Sequence, residues 1–493
     1  MNIQGTICAP ATVPGTGAIS VVRVSGADTF AVVDRVVALR RGTVAESKGY
    51  SVHFGTVTDG ADVVDEVLVS VFRAPHSYTG EDSVEISCHA SLFVVQKILD
   101  LLCDAGAHMA SPGEFTQRAF VNGKMDLAQA EAVADVIAAS SEASHRVAMN
   151  QLRGRYSDRL RELRDELVQL TALMELELDF SEEEVEFADR SRLRALVDEA
   201  IAHTQKLADS FRDGNAIRNG VPVAIVGAAN SGKSTLLNCL LGEERAIVSD
   251  IAGTTRDTVE ETMVLDGVLY RFIDTAGLRE TSDTIEKIGI DRAYRKLAQA
   301  DVVIALIDAT EAPETARASL DDIKSKVAPG QVLIVVKNKM DVVHDGVGGT
   351  RGTASDGVTE VHSPVPGTAA QVQSLNAGDR PERGGSTSSA FAEVHISART
   401  GEGVDTLRSA ITRSQQGRYS ASEILVTNAR HHEALRNACA SLTLVRKGLE
   451  TDLSGDFISQ DLREALYHLG SITGEISTDE VLGEIFRGFC IGK

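Results

Sequence analysis

The stretch GAANSGKS, residues 227–234, limits the possible folds of this 493-residue chain more than any other feature. It follows the apolar, strand-like run VPVAIVG and precedes the helical pattern STLLNCLLG, so that a strand, a glycine-rich loop and a helix succeed one another. In such a loop the backbone N–H groups surround phosphate groups, Lys233 reaches the outer phosphate oxygens, and the Ser234 hydroxyl can ligate Mg²⁺. The stretch therefore predicts a phosphate-binding P-loop in an α/β domain.

Further motifs in chain order predict the identity of the base. Asp274 of DTAG ends a predicted strand, where a magnesium-linked carboxylate belongs, and Gly277 can donate its N–H to the terminal phosphate. In NKMD, the Asp341 carboxylate can accept hydrogen bonds from the ring N–H and the exocyclic amine of guanine, a pair of donors that adenine lacks. The later motif HISAR offers the Ala398 N–H to the guanine oxygen. The predicted ligands are GTP and Mg²⁺, and the predicted contacts in these motifs are Asn230, Ser231, Gly232, Lys233, Ser234, Thr235, Asp274, Thr275, Ala276, Gly277, Asn338, Lys339, Asp341, Ser397, Ala398 and Arg399.

The sequence leaves open how the attacking water and the transition-state charge are handled. Leu278 follows DTAG, where many GTPases carry a glutamine that orients water. Arg256 and Arg279 lie in the two switch segments, and each is either a charge-stabilising group or a solvated loop residue. Asn230 either makes a loop hydrogen bond or holds a cation against the phosphates.

The pattern of apolar residues predicts a multidomain protein with α+β and α/β parts. Residues 1–124 alternate strand-like runs with turns and form an α+β domain, and residues 125–216 and 417–493 form long amphipathic helices. Residues 217–416 alternate strands and helices, which predicts a doubly wound parallel sheet inserted between the two helical segments. Within it, residues 343–390 are rich in Gly, Ser, Thr and Pro without any period, and we interpret them as a disordered surface insert.

The composition restricts the function classes. The chain carries 71 Asp and Glu against 49 Lys and Arg, a formal charge of -22, which opposes non-specific binding to nucleic acid or to an anionic membrane. The start MNIQGTICAPATVPG does not resemble a signal peptide, and no apolar run reaches membrane-spanning length. The six cysteines show neither paired nor metal-ligand spacing. We therefore expect a cytoplasmic protein with free thiols that does not enter a membrane.

The chain ends in FRGFCIGK, which is unusually apolar for a terminus. Burial of Ile485, Phe486 and Phe489 would carry Cys490 and Lys493 toward the protein. Cys490 is then either a reactive thiol in a ligand site or a small buried hydrophobic residue.

The motif set as a whole resembles the MnmE (TrmE) family of tRNA modification GTPases. The resemblance covers nearly the whole chain apart from the insert, and it is carried by SYTGED, PGEFTQRAFVNGKMDLAQAEAVADVI, GAANSGKSTLLN, IVSDIAGTTRD, DTAGLRETSDTIEKIGI, TNARH and FCIGK. It implies an N-terminal folate-binding domain that dimerises, a helical domain made of two chain segments, and an inserted G domain.

The resemblance also implies ligands and catalytic residues. In that family the G domains dimerise across a potassium ion, which takes the place of an arginine finger, and this potassium-dependent dimerisation drives the GTPase cycle. Here the potassium ligands would be Asn230, Ser249, Ile251 and Thr254, with Thr255 and Ser234 on magnesium, and Ser249, Thr254 and Thr255 join the nucleotide site. The predicted catalytic residues are Lys233, Glu286, which matches the water-orienting residue of the family, and Cys490. The implied folate site consists of Arg23, Glu85, Lys124 and Lys493. One departure from the family is Ala90-Ser91, where the family usually has Gly-Gly after the histidine.

The function implied by the resemblance is modification of the wobble uridine of tRNA. The chain would act as a homodimer with an MnmG (GidA)-type flavoprotein, in a heterotetramer, and would use methylene-tetrahydrofolate as carbon donor to add an aminomethyl or carboxymethylaminomethyl group. One alternative is a ribosome-assembly GTPase without modification chemistry, which would need a basic RNA-binding module. Another is a folate-dependent transferase whose G domain is only regulatory.

Overall fold

The computed structural model describes residues 5–179, 190–242, 261–273, 297–346, 391–415, 424–451 and 453–492. The chain divides into two compact units, each of which is described by itself. The first unit consists of Met1–Ala138, Ala148–Asp209 and Asn428–Lys493, and the second of Ala139–Val147 and Ser210–Thr427. Helices and strands are numbered in chain order within the described residues.

A seven-stranded, mostly antiparallel sheet forms the N-terminal part of the first unit. Its strands are β1 Ile7–Pro10, β2 Ile19–Ser25, β3 Val37–Leu39, β4 Ser51–Asp59, β5 Asp62–Phe72, β6 Ser83–His89 and β7 His108–Met109, in the order β3-β4-β5-β6-β2-β1-β7. The helices of this part are α1 Thr29–Val36, α2 Leu92–Asp104 and α3 Glu114–Val121. Alternate residues such as Val22, Val24, Val84 and Ile86 are fully buried in one core cluster that also contains Ile98 of α2. The predicted α+β fold is confirmed.

Long helices complete the first unit, and they come from two distant chain segments. They are α4 Leu127–Ala138, α6 Arg155–Asp179, α7 Arg190–Asp209, α13 Ala429–Glu450, α14 Gly455–Thr473 and α15 Asp479–Arg487, and α5 Glu142–Leu152 crosses the boundary between the units. In α6 the buried residues recur every three or four positions, as Leu160, Leu163, Leu167, Leu170 and Met174. Because α13 packs on α7 and α14 packs on α6, the two segments share one core, as the sequence predicts.

A buried ion pair joins the two helical segments. The Glu131 carboxylate of α4 accepts hydrogen bonds from Arg430 Nε at 3.1 Å and Arg430 Nη2 at 3.0 Å, and His431 Nε2 lies 2.5 Å from Glu131 Oε2. Arg430 also donates to the Ser471 carbonyl oxygen of α14 at 2.6 Å, and the Tyr156 ring of α6 stacks on His431. Burial alone would raise the pKa of Glu131, but His431 and Arg430 outweigh it and lower the pKa to about 2. The motif TNARH therefore has a structural role: it anchors α13.

The second unit contains a six-stranded sheet with the order β13-β12-β11-β8-β10-β9. Its strands are β8 Val221–Gly227, β9 Glu261–Leu265, β10 Val268–Phe272, β11 Val302–Asp308, β12 Val332–Asn338 and β13 Phe391–His395. Its helices are α8 Phe211–Asn219, α9 Lys233–Leu241, α10 Pro313–Lys326, α11 Met340–Gly346 and α12 Val404–Gln415. The strand pairs are parallel except that β9 runs antiparallel to β10.

Both faces of this sheet are covered, which explains why its strands are continuously apolar. Leu236 of α9 and Leu407 of α12 belong to one core cluster, whereas Ile323 of α10 belongs to another, and all seven residues of β11 are buried. The predicted doubly wound sheet is confirmed. The antiparallel edge strand β9 was not predicted.

The structure corrects the start of the predicted insert 343–390. Residues 343–346 belong to the helix α11, which continues directly from NKMD with Asp341 in its first turn, where a carboxylate favours the helix N-terminus. Residues 347–390 lie outside the described residues. The compact units also differ from the predicted domain boundaries, because Ala139–Val147 and Ser210–Thr427 group with the six-stranded sheet. The individual domain boundaries stay predictions.

Among the helices of the described ranges, none combines the length and the apolar character needed to cross a membrane.

Candidate functional site

The P-loop lies at the carboxyl end of β8, where the backbone turns into α9. Gly232, the residue before α9, has a φ of +96°, and a Cβ added to it would lie 2.4 Å from Asn338 Nδ2. Only glycine fits such a position, because it must combine a left-handed backbone with close contact to a neighbouring side chain. Within the described part of the chain no side chain caps the N-terminus of α9, which leaves its backbone N–H groups available to an anion.

The polar groups of the P-loop converge as a phosphate site requires. Lys233 Nζ donates to the carbonyl oxygens of Gly227 at 3.0 Å and Ala228 at 2.8 Å, and burial lowers the pKa of Lys233. The Ser231 hydroxyl is completely buried and has no hydrogen-bond partner within the described part of the chain. Unsatisfied buried hydroxyls are rare in native proteins. The residues present therefore fit a bound phosphate chain.

Asn338 connects the phosphate end of the site to the base end. Its Nδ2 donates to the Ser231 carbonyl oxygen at 2.9 Å, and its Oδ1 accepts from the Ala398 N–H at 2.9 Å. The side chain is 2% exposed. The structure thus brings together three motifs that the sequence analysis assigned to one site: GAANSGKS, NKMD and HISAR.

Asp341 is oriented by the loop after β13. Its Oδ1 accepts a hydrogen bond from Ser397 Oγ at 2.8 Å, and its Oδ2 lies 2.9 Å from Arg399 Nη2. The hydrogen bond from Ser397 and, to a lesser extent, the charge of Arg399 lower the pKa of Asp341. The carboxylate is therefore ionised at neutral pH and can accept the two N–H donors of a guanine edge.

The sequence analysis missed Asp308, which holds Lys339 of NKMD. Asp308 ends β11, and its Oδ2 lies 2.5 Å from Lys339 Nζ, while its Oδ1 accepts from the Thr310 N–H at 2.9 Å. Burial would raise the pKa of Asp308, but the hydrogen bonds from Lys339 and Thr310 outweigh it and lower the pKa. The signal was an acidic residue at the end of a buried parallel strand, the edge at which α/β sheets bind ligands.

Other predicted residues lie outside the described part of the chain. These are Ser249, Ile251, Thr254, Thr255, Asp274, Thr275, Ala276, Gly277, Glu286 and Lys493, together with Leu278 and the two candidate arginines Arg256 and Arg279. Asn230 is exposed in the P-loop with a φ of +59°, and Ser234 and Thr235 begin α9 beside Lys233.

Two residues of the predicted folate site form a pair in the first unit. Arg23 donates to Glu85 Oε1 through Nε at 3.0 Å and Nη2 at 2.8 Å, across the antiparallel strands β2 and β6. The Arg23 guanidinium also lies over the rings of Tyr78 and Phe115, 5.3 and 5.6 Å from their centroids. Its orientation is therefore fixed. Lys124, the third predicted residue, is exposed and donates to the Pro75 carbonyl oxygen at 2.9 Å.

The C-terminal tail docks beside Arg23. Arg23 Nη1 donates to the Gly492 carbonyl oxygen at 3.4 Å, and a Cβ at Gly492 would lie 2.1 Å from the Pro10 carbonyl oxygen. Phe486 is buried, whereas Cys490 is exposed. The alternative that Cys490 is a buried hydrophobic residue is therefore wrong. Phe486 anchors the tail by its burial, whereas the Cys490 thiol stays accessible.

The turn at Ala90-Ser91 forms without glycine. Neither residue has a positive φ, and the Ala90 carbonyl oxygen accepts from the Gly17 N–H at 3.2 Å. A Cβ at Gly17 would make only ordinary contact with the Ala90 side chain, at 3.7 Å. The departure from Gly-Gly thus introduces no strain at this position.

Comparison with known proteins assigns the chain to a family. A model of the MnmE helical domain matches residues 127–490, and a model of the N-terminus of the GTP-binding protein TrmE matches residues 6–124. The chain is 48% identical to the tRNA modification GTPase MnmE of Parabacteroides distasonis, over 99% of this chain and 100% of that protein. It is 47% identical to the protein of the same name from Bacteroides fragilis, with the same coverage, and 46% identical to that from Porphyromonas gingivalis, over 99% of this chain and 98% of that protein.

Among solved structures, the G domain of the FeoB iron transporter of T. maritima matches 40% of this chain and 99% of its own length, with 21% identity and a TM-score of 0.23. A match at this level adds nothing to the assignment. The family models and the full-length relatives agree with the P-loop and NKMD geometry, and together they show that the chain belongs to the MnmE family of tRNA modification GTPases.

Proposed function

We propose that this protein uses GTP hydrolysis to drive modification of the wobble uridine of tRNA, together with an MnmG-type flavoprotein and a methylene-tetrahydrofolate carbon donor. The observation that carries the proposal is the docking of the C-terminal tail beside the Arg23–Glu85 pair, which leaves the Cys490 thiol exposed. A GTPase that acted only as a switch would not need an exposed thiol in a tail that a fixed guanidinium–carboxylate pair holds through Gly492. The family assignment also favours tRNA modification over ribosome assembly.

At the nucleotide site, the residues of this chain bind and orient GTP. Asp341, which Ser397 orients, selects guanine; Asn338 holds the base loop against the P-loop by accepting from the Ala398 N–H, and Lys233 neutralises the outer phosphates. Most of the rate enhancement in such a site comes from positioning and from preorganised charge.

Two cations would complete this site. Mg²⁺ would be held by Ser234 and Thr255, and K⁺ by Asn230, Ser249, Ile251 and Thr254. Both ions supply positive charge to the phosphates, which compensates for the lack of an assigned arginine finger. Hydroxyl, amide and carbonyl oxygens suit such hard cations, and Asn230 is exposed on the P-loop, where its side chain is accessible. We assign Glu286 to orientation of the attacking water.

At the tail site, Arg23 and Glu85 would bind a folate derivative, with Lys124 and Lys493 close to its anionic tail. A carboxylate suits the donor edge of a pteridine, and guanidinium and ammonium groups suit carboxylates, so the donor set fits the ligand. When bound, the folate supplies a one-carbon unit. Cys490 is exposed and lies in the tail that Arg23 holds, so we assign it to the reaction of that unit.

An exposed apolar surface on the sheet of the first unit supports the proposed homodimer. Phe54 and Leu68 are cross-strand partners on β4 and β5, and they are 42% and 48% exposed. Val52 lies two residues before Phe54, on the same face, and is 63% exposed. Contiguous apolar patches of this kind mark interaction surfaces, and a second copy of the chain would cover this one. The flavoprotein would then join in a heterotetramer. The cytoplasmic location predicted from the sequence stays a prediction.

The proposal is tested by reconstitution with the purified flavoprotein, unmodified tRNA, GTP and methylene-tetrahydrofolate, with nucleosides analysed by mass spectrometry. We expect modified wobble uridine in potassium chloride and much less in sodium chloride at equal ionic strength. Cys490→Ser should abolish modification and leave GTP hydrolysis unchanged, whereas substitution of the buried Cys88 by serine serves as a control for thiol loss. Full modification by Cys490→Ser would remove Cys490 from the mechanism. Hydrolysis without any modified uridine in the wild type would overturn the proposed chemistry.

A further inference from the structure

The helix α8 contains a glycine in its interior, although glycine is an unfavourable helix residue. Gly214 is buried in the middle of Phe211–Asn219. Alanine would be a better helix residue at this position by about 1 kcal/mol. The reason for glycine is a close approach of the backbone: a Cβ at Gly214 would lie 2.2 Å from the Val426 carbonyl oxygen and 2.8 Å from its carbonyl carbon. No side-chain rotation can relieve a contact with backbone atoms.

Two hydrogen bonds hold the same two pieces of chain together. The Val426 N–H donates to Ser210 Oγ at 3.1 Å, and Arg218 Nη1 lies 3.5 Å from the Thr427 carbonyl oxygen. Leu425, Val426 and Thr427 are all buried, and Leu425 shares a small core with Ile217 of α8. We call Ser210, Gly214 and residues 425–427 the connection site.

The connection site is where the chain enters and leaves the main segment of the second unit. That segment begins at Ser210 and ends at Thr427, and Asn428 then caps α13 by accepting a hydrogen bond from the Arg430 N–H. Both of these connections to the long helices therefore start from one fixed point in the second unit. A displacement of α8 would move residues 425–427 with it.

Two buried strands lead from α8 to the nucleotide site. The strand β8 starts at Val221, two residues after α8 ends, and runs to the P-loop at Gly227. Arg212 of α8 forms an ion pair with Asp301, which immediately precedes β11, and β11 ends at Asp308, the partner of Lys339. A seven-residue strand spans about 23 Å and is stiff when both its faces are packed. Movements at the phosphates and at NKMD can thus reach α8.

We propose that Gly214 is a positioning residue that couples GTP hydrolysis to tRNA modification, because it allows α8 and residues 425–427 to move as one body. Gly214 lies within α8, outside the P-loop, NKMD and HISAR motifs. It acts through Val426, because the absence of a side chain at Gly214 permits the backbone contact between α8 and residues 425–427. The readout in tRNA rests on the proposed function.

The test compares Gly214→Ala with Asn215→Ala, a neighbouring change on the same helix at a side chain that accepts a local hydrogen bond from Asn219 Nδ2. Circular dichroism and thermal unfolding first establish that both variants fold. We expect Gly214→Ala to hydrolyse GTP within twofold of the wild type, while the number of uridines modified per GTP hydrolysed falls by about tenfold, a size common for coupling between sites. Asn215→Ala should match the wild type in both.

A purely structural role for Gly214 would lower hydrolysis and modification in the same proportion, since both would follow the folded fraction. An unchanged number of uridines modified per GTP hydrolysed, whether or not both rates fall, would overturn the proposal. If Gly214→Ala does not fold, Ser210→Ala provides the test, because it removes the acceptor of the Val426 N–H without adding atoms. The ratio should then fall in the same direction by a smaller factor, and an unchanged ratio would overturn the proposal.

A second readout separates this inference from the tRNA chemistry. Hydrogen exchange of residues 424–430 is measured with GDP and with a non-hydrolysable GTP analogue, without tRNA or partner. The wild type should show a nucleotide-dependent difference in this segment, and Gly214→Ala should show none. A wild type without any difference would overturn the inference. A difference in the wild type together with unmodified tRNA in reconstitution would place the failure in the proposed function.

Discussion

Replacing Glu131 by glutamine removes the carboxylate that joins the two segments of the helical region. The structure gives the size of the effect in two ways. The pKa of Glu131 falls from its ordinary value of 4.5 to about 2 in the folded protein, which corresponds to about 3 kcal/mol of stabilisation of the charged form. Removing one partner of a buried ion pair typically costs about 3–5 kcal/mol, since the remaining charge is left buried. We therefore expect Glu131→Gln to destabilise the first unit by about 3 kcal/mol.

The pH dependence follows from the direction of that pKa change. Because the pKa is lower in the folded state, the stabilisation is fully present above about pH 4.5 and is lost as the pH falls toward 2. The difference in unfolding free energy between wild type and Glu131→Gln should therefore shrink as the pH falls below about 4.5.

The assay is urea-induced unfolding of the full chain, followed by far-ultraviolet circular dichroism. Glu162→Gln is the matched control, because Glu162 pairs with Arg159 on the surface of α6 and is 62% exposed. Exposed pairs contribute about 0–1 kcal/mol, so the control should be almost as stable as the wild type. Equal stability of Glu131→Gln and Glu162→Gln would refute the reasoning. A difference in stability between the wild type and Glu131→Gln that does not change with pH would also refute it.

Three further predictions concern the nucleotide site and the tail. Asp308→Asn removes the carboxylate that pairs with Lys339 and should raise the dissociation constant of GTP by about tenfold, since hydrogen bonds to charged groups contribute about 1.5–3 kcal/mol. Isothermal titration calorimetry measures this constant, and an unchanged value would contradict the prediction. Gly113→Ala should destabilise the docked tail by about 1–3 kcal/mol, because φ is +70° there and a Cβ would lie 2.8 Å from a backbone oxygen of α15. Thermal unfolding measures the loss of stability, and a melting temperature equal to that of the wild type would count against the docked geometry. Iodoacetamide at mildly alkaline pH should label the exposed Cys490 but not Cys8, because burial raises the pKa of Cys8 to about 12. Mass spectrometry distinguishes the two cysteines, and equal labelling of both in the folded protein would contradict the exposure of Cys490.

The parts of the fold that the sequence predicted are those that depend on neighbouring residues. The strand, loop and helix around Lys233 follow one another within a short stretch, and the strand before NKMD is continuously apolar because both its faces are covered. Local pattern and local structure agree in both places.

The parts that were missed depend on contacts between residues far apart in the chain. Asp308 holds Lys339 across neighbouring strands, and Arg430 meets Glu131 from the other helical segment. From the sequence alone, Gly214 is only an unfavourable residue within a helix. Its reason is the close approach of the Val426 backbone, which only the structure shows. The exposure of Cys490 could not be read from its apolar neighbours either, because α15 ends at Arg487 and the last residues lie outside its apolar face.

The central claim is that guanine nucleotide bound at Asp341 drives the modification of tRNA, and the most direct measurement exchanges the base that this residue accepts. Xanthine carries an oxygen in place of the exocyclic amine of guanine, so it requires a donor where guanine requires an acceptor, and the amide of Asp341→Asn provides one. Wobble-uridine modification is measured in the reconstituted system with GTP and with XTP, for the wild type and for Asp341→Asn. The account predicts that the wild type requires GTP and that Asp341→Asn requires XTP. Modification that proceeds equally with either nucleotide, or without any, would contradict it.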